Sequence, residues 1–245
     1  MDSKKHFKTV FISDVHLWNP KNQWDKLINF LESITFENLI IVWDFIDFRQ
    51  LNTFWKRTNK DAQTLNYINK LSNNWVNVIY LQWNHDKNFE DTGYIHLQNI
   101  AIKQNLLYKT WNWKTFYVTH WDCLDWINSN NSKIWKIGNF LYGLLLKIEY
   151  IRNKKAILPW ENSIAEKIED WIKIHRFPKD KLIQKIKKFT KEKKYDWIIL
   201  WHFHQAVHYN INWLEYFNTW DWLNNCSAIT EDNKWNLNLL LYENK

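Results

Sequence analysis

The sequence predicts an α/β fold built on two sheets, and three observations lead there. Apolar runs at 7–12, 38–43 and 76–82 read as buried strands. The two intervals between them carry apolar residues at helical spacing, at 24–31 and 62–71, which makes a β-α-β-α-β opening. The second half has strand-like runs of its own, so both halves contribute a sheet, and a four-layer αββα sandwich is the natural assembly.

Taken in order, the first run, Phe7 to Ile12, leads directly into Ser13-Asp14-Val15-His16. The second ends in Trp43-Asp44 and the third in Trp83-Asn84-His85-Asp86, so polar, metal-competent residues stand where strands run out into loops. Runs at 106–110 and 114–119 flank Trp111-Asn112-Trp113 and read as a hairpin that delivers His120 at its end. From 124 to about 175 the pattern is helical, with Ile134, Ile137, Leu141, Leu144, Leu145 and Ile148 on one side and basic residues at 152–155. That stretch is expected to be a helical cap inserted over the site, although an ordinary core-packing helix pair has the same periodicity. An amphipathic helix at 179–193 follows, then a strand at 196–201 ending in His202 and His204, and further strands near 206–211, 214–218 and 236–242. The whole, 1–245, is expected to be one domain carrying that cap at about 124–175.

Bulk properties narrow the class less. The chain has 33 Lys and Arg against 26 Asp and Glu, a formal charge of +7, with one dense basic run from Lys179 to Lys194. Such a surplus favours phosphate, nucleic acid or an acidic membrane face, and it is also what a lysine-rich composition gives unaided. Cys123 and Cys226 form no metal or redox spacing, which suits a reduced cytosol. No signal segment is expected at the amino terminus, which passes straight into a strand. The most apolar stretch, 140–146, is far short of the ~20 residues that a bilayer crossing takes.

One oddity runs through the motif segments. Trp43, Trp83, Trp121 and Trp201 each stand beside a candidate ligand, at turns where glycine belongs, because only a residue without Cβ reaches positive φ cheaply. The chain has 3 Gly and 19 Trp, whereas an average chain of this length would hold about 17 Gly. Many of these tryptophans are therefore expected to stand where the organism makes glycine, as when UGA is translated under the wrong genetic code. An aromatic-rich chain is the alternative.

The chemistry follows from five segments, FISDVH, IVWDFID, LQWNHD, YVTHWD and ILWHFH. Asp14 and His16 share a spacing of two, which repeats the strand pleat and sends both to one side, and His202 and His204 do the same. Asp44 is the candidate to bridge two cations, with Asn84 and His120 completing the second ion. Mixed oxygen and nitrogen ligands of this kind suit Mn, Fe or Zn, with manganese the first expectation. Singly, a D-x-H or an H-x-H is a weak signal; five in order are a strong one. His6, His96, His175 and His208 lie outside the pattern and are expected to have ordinary structural roles.

With glycine restored, these segments read D-x-H, GD-x-x-D, GNHD, HGD and GHFH, and the chain resembles the calcineurin-like metallophosphoesterase superfamily over essentially its whole length. The resemblance implies the αββα metallophosphoesterase sandwich, one metal on Asp14, His16, Asp44 and His204, and the other on Asp44, Asn84, His120 and His202. It also implies His85 beside the phosphate, as transition-state stabiliser or proton donor, with Asp47 orienting it. Narrower likeness, in FISDVHL, HWD and YFNTWDWLNNCSAI, is to the UDP-2,3-diacylglucosamine hydrolase family. That family attacks a phosphorus of a UDP-linked diphosphate at the cytoplasmic membrane face, which implies a cytoplasmic protein peripheral to an anionic membrane, a lipid-linked nucleotide substrate, and acyl chains held by the helices at 134–148. Some of those hydrolases carry arginine where His85 stands here. Two other readings stay open: a phosphodiesterase or phosphatase of nucleotides or nucleic acid, and a non-catalytic binding module on the same fold.

Overall fold

The computed structural model of the chain describes residues 4–17, 22–46, 59–82, 99–110, 112–120, 144, 148, 179–193, 197–201, 207–211, 214–218, 222 and 226–242. The chain divides into two compact units, Met1–Trp121 together with Lys193–Lys245, and Asp122–Glu192.

The first unit opens as the periodicity predicts. Strand β1 (Lys5–Ser13), helix α1 (Trp24–Ser33), strand β2 (Ile34–Val42), helix α2 (Asn59–Asn73) and strand β3 (Asn77–Leu81) alternate, and the three strands lie side by side in parallel. The Asn22 side chain accepts the Trp24 backbone N–H at 3.1 Å, and Asp25 lies in the first turn of α1, where a negative charge meets the positive end of the helix dipole. β4 (Ile100–Lys103) extends the parallel set at one edge. At the other side β10 (Ser227–Glu231) runs antiparallel to β1 and is followed outward by β11 (Leu237–Leu241), giving the order β11-β10-β1-β2-β3-β4.

A second sheet is made of β5 (Leu106–Lys109), β6 (Thr115–His120), β7 (Trp197–Trp201), β8 (Val207–Ile211) and β9 (Leu214–Asn218), in the order β5-β6-β7-β9-β8. β6, β7 and β9 are parallel neighbours, and antiparallel strands close both edges.

The uninterrupted apolar runs of β1, β2 and β3 are explained by burial on both faces. Val10 and Ile12, Leu39 and Ile41, and Val78 and Tyr80 join the core that contains Leu27, Phe30 and Leu31 of α1 and Ile68 of α2. The alternate residues, Phe11, Ile40, Val42 and Leu81, join a second core with Phe116, Val118, Ile199 and Phe217 of the other sheet. A period of two thus sorts one strand between two cores, and helices, sheet and sheet form successive layers. The α/β class and the paired sheets match the expectation.

Two strands were not legible. β10 is buried throughout yet reads Ser-Ala-Ile-Thr-Glu, so it has no apolar run, and β4 is a four-residue, mostly exposed edge. In the second unit the helix α3 (Lys179–Lys193) stands where the pattern at 179–193 placed it, and Thr190 satisfies its hydroxyl on the Ile186 carbonyl at 2.9 Å. The expected cap at 124–175 lies almost wholly outside the described residues.

Candidate metal centre

Parallel pairing of β1 and β2 runs in register up to Ser13 and Val42, so the two strands end together. The chains continue side by side beyond the strands. The His16 N–H donates to the Asp44 carbonyl and the Leu17 N–H to the Phe45 carbonyl, each at 2.9 Å, and Leu17 and Ile46 form a further parallel bridge. Asp14 is held from a third direction, because its carbonyl accepts the backbone N–H of Trp222 at 3.1 Å. Sequence reading did not reach this last contact, and no side-chain signal marks a backbone donor more than 200 positions away.

Two strand ends tied in this way bring three side chains together. One ligand atom from each of Asp14, His16 and Asp44 can be chosen so that all lie within 4.8 Å of one another. His16 Nε2 is 3.0 Å from Asp14 Oδ1. Asp14 is fully buried, and His16 and Asp44 are partly exposed. Two carboxylates and an imidazole make a hard and borderline donor set that suits a divalent transition ion. The group lies beyond the carboxyl ends of parallel strands, where open α/β sheets place their ligands.

Backbone strain concentrates here. Asp14, His16, Trp43 and Asp44 have φ of 41°, 46°, 43° and 46°, in the left-handed region. Non-glycine residues in that region cost of order 1–3 kcal/mol each and cluster at functional sites. Asp and His tolerate it better than most, whereas tryptophan has no such excuse.

Of the remaining expected ligands, His120 is the last residue of β6, paired with Trp201 at the end of β7. The segment preceding His202 therefore runs beside the one that delivers His120. β3 ends at Leu81, whose carbonyl accepts the Trp43 N–H at 3.1 Å, so the end of β3 lies beside the residue that precedes Asp44. Asp47, Asn84, His85, His202 and His204 themselves lie outside the described residues. The histidines set apart from the pattern have ordinary partners where they are described. His6 lies 3.1 Å from the Thr35 hydroxyl and 3.5 Å from Glu37, and His208 stacks on Phe217 at 4.1 Å beside Glu215 at 3.8 Å.

No family model matches the chain, and no curated protein does. Among solved structures it is similar to an archaeal phosphodiesterase, at 12% identity and a TM-score of 0.42 over 96% of this chain and 99% of that one. It is also similar to YfcE, a phosphoesterase from E. coli, at 15% identity and 0.42 over 95% and 97%. Vacuolar Protein Sorting 29 from Cryptosporidium parvum matches at 10% identity and 0.43 over 96% and 95%. With likeness this distant, activity has to be argued from the site.

Proposed function

We propose that this chain is a hydrolase of phosphoester or diphosphate bonds that works with two divalent metal ions. The observation that carries the reading is the convergence of Asp14, His16 and Asp44 within 4.8 Å at the ends of two parallel strands. The five ordered motif segments support it from the sequence.

In this reading Asp14, His16 and His204 would hold one ion and Asn84, His120 and His202 the other, with Asp44 shared between them. Two divalent ions, when bound, supply an activated water and relieve negative charge on phosphorus. The protein's own residues do the rest. Asp14, anchored through its backbone carbonyl, fixes where the site sits relative to β1. His85, next in sequence to the expected ligand Asn84, would stabilise the transition state or give a proton to the leaving oxygen, with Asp47 to orient it.

Within that class we favour a UDP-2,3-diacylglucosamine hydrolase-like activity, on the likeness of FISDVHL, HWD and YFNTWDWLNNCSAI. The apolar helices expected at 134–148 would then hold acyl chains, and nearby lysines or Arg152 would meet phosphate or lipid headgroups. Among the described residues no helix is long and apolar enough to cross a membrane. Turnover with Mn²⁺ supplied decides the substrate class. UDP-diacylglucosamine should be cleaved in preference to bis-p-nitrophenyl phosphate, cyclic nucleotides and single-stranded DNA. Preference for DNA or a cyclic nucleotide would replace the lipid reading by the nucleic-acid one, and no turnover of any would leave a binding module.

A further inference from the structure

Among the described residues that are not glycine, the left-handed backbone region holds Asp14, His16, Asp44, Asn99, Cys226 and four tryptophans: Trp43, Trp75, Trp113 and Trp235. Aspartate, asparagine and histidine visit this region with some ease, whereas a bulky side chain there is an outlier. Three of the four tryptophans also stand at turn positions that ask for glycine for reasons independent of composition.

Trp75, with φ of 70°, follows the end of α2. The Val76 N–H donates to the Leu71 carbonyl at 3.3 Å, five residues back, which is the long bond of a Schellman motif with Trp75 at its left-handed position. Trp113 and Trp235, both with φ of 66°, each stand third in a three-residue hairpin loop. In one, the Thr110 N–H donates to the Lys114 carbonyl and the Trp113 N–H to the Thr110 carbonyl, both at 3.0 Å. In the other, the Asp232 N–H donates to the Asn236 carbonyl and the Trp235 N–H to the Asp232 carbonyl, again both at 3.0 Å. A type I turn followed by a left-handed third residue is the usual three-residue hairpin, and glycine is what that residue wants.

Nothing in the packing compensates at two of these sites. Trp75 is 98% exposed and Trp113 is 85% exposed, so their indoles gain no burial in return for the backbone cost. Trp43 is buried, and it immediately precedes Asp44 on a backbone with φ of 43°. Trp222 is the contrast. It is outside the left-handed set, fully buried, and its ring lies 5.4 Å from Phe30 and 6.4 Å from Tyr242, in the core beneath α1.

We infer that the native polypeptide carries glycine at positions 43, 75, 113 and 235 and tryptophan at 222, the codon at the four positions being one that the source organism reads as glycine. Position 43 matters for the site, since glycine there lets the backbone turn into Asp44 without placing an indole beside it. Backbone geometry and burial alone carry the inference, so tryptophan at these positions would overturn it and leave the metal group standing.

Peptide mass spectrometry of the protein isolated from its own cells reads the four positions directly. Glycine at 43, 75, 113 and 235 with tryptophan at 222 is the expected result, and an indole at any of the four overturns the assignment there. Recombinant variants give a second measurement. Trp75→Gly and Trp113→Gly should each raise the thermal midpoint above that of Trp75→Ala and Trp113→Ala, because both changes remove the indole and only glycine relieves the left-handed backbone. Alanine equal to or better than glycine would show that the turns do not require it and would overturn the inference.

Discussion

Asp44 is the residue on which the proposed site turns, since it is the ligand assigned to both ions. Its replacement by asparagine keeps the shape and removes the charge, so Asp44→Asn is expected to abolish turnover and lose bound metal, read by elemental analysis. His85→Ala should behave differently, keeping the metals and losing rate by about 10²–10⁴-fold, the usual worth of a positioned acid or base. Loss of metal in His85→Ala would show that the division between ligand and proton donor is wrong. A further residue-scale prediction concerns Glu231, the last residue of β10, which pairs with Thr9 of β1. It is 1% exposed and accepts a hydrogen bond from the Tyr108 hydroxyl. Burial pushes its carboxyl above the ordinary range; Tyr108, Thr9 and Lys8 pull it back, and Asp232 adds to the rise. The folded protein therefore holds this proton at pH values where the unfolded chain has released it. Its contribution to stability falls as pH rises from the ordinary carboxylate value through the raised one. Glu231→Gln should flatten that fall, measured as urea midpoints at successive pH values above the ordinary carboxylate range. An unchanged slope would assign the pH dependence to other groups.

At the scale of elements, what places the site is the common ending of β1 and β2, and what holds those strands is burial on both faces. Phe11 is central to this, fully buried between the sheets with its ring 5.2 Å from that of Tyr108 at 86°. Phe11→Ala is expected to cost about 3–5 kcal/mol, as buried aromatic truncations do, seen as a lower denaturant midpoint. The elements that were legible are those whose neighbours repeat one simple environment. β1, β2 and β3 are apolar on both faces, and α1, α2 and α3 carry one apolar stripe each, so a run or a period marks them. β10 was illegible because its burial is specific. Glu231 is tolerated there by Tyr108, a partner 123 residues away, and no local pattern announces such a pair. β2 begins four residues earlier than its apolar run, because Ile34, Thr35 and Phe36 pair with Lys5, His6 and Phe7 of β1, while Thr35 and Glu37 are exposed and break the apolar pattern. At the site, Asp14 and His16 come within 3.0 Å of each other. However, β1 ends at Ser13 and both residues have left-handed φ, so the strand pleat expected from a spacing of two is not what brings them together. That Asp44 joins them depends on β2 lying next to β1, which is a matter of pairing and not of spacing.

For the molecule as a whole, metal binding and folding should be linked. A ligand that binds only the folded state at a hundredfold excess over its Kd stabilises it by about 2.7 kcal/mol. Mn²⁺ or Zn²⁺ is therefore expected to raise the thermal midpoint of the metal-stripped protein, Mg²⁺ less so given the imidazole in the donor set, and a chelator should reverse the gain. An identical midpoint with and without metal would remove the site from the folded state. The charge of +7 acts at this scale too, as a field that favours anionic substrates without selecting one.

The sequence by itself determined the alternation of strands and helices, the identity of the metal-competent side chains and their order, and the misfit of tryptophan at turns. These are local properties, written in runs, periods and residue types. Only the tertiary structure decided that β1 and β2 end in register, that Trp222 anchors Asp14, and that Trp75 and Trp235 share the left-handed backbone of Trp43 and Trp113. Those depend on pairing between distant segments, whose energy comes from hydrogen bonds and burial that no stretch of the chain possesses alone.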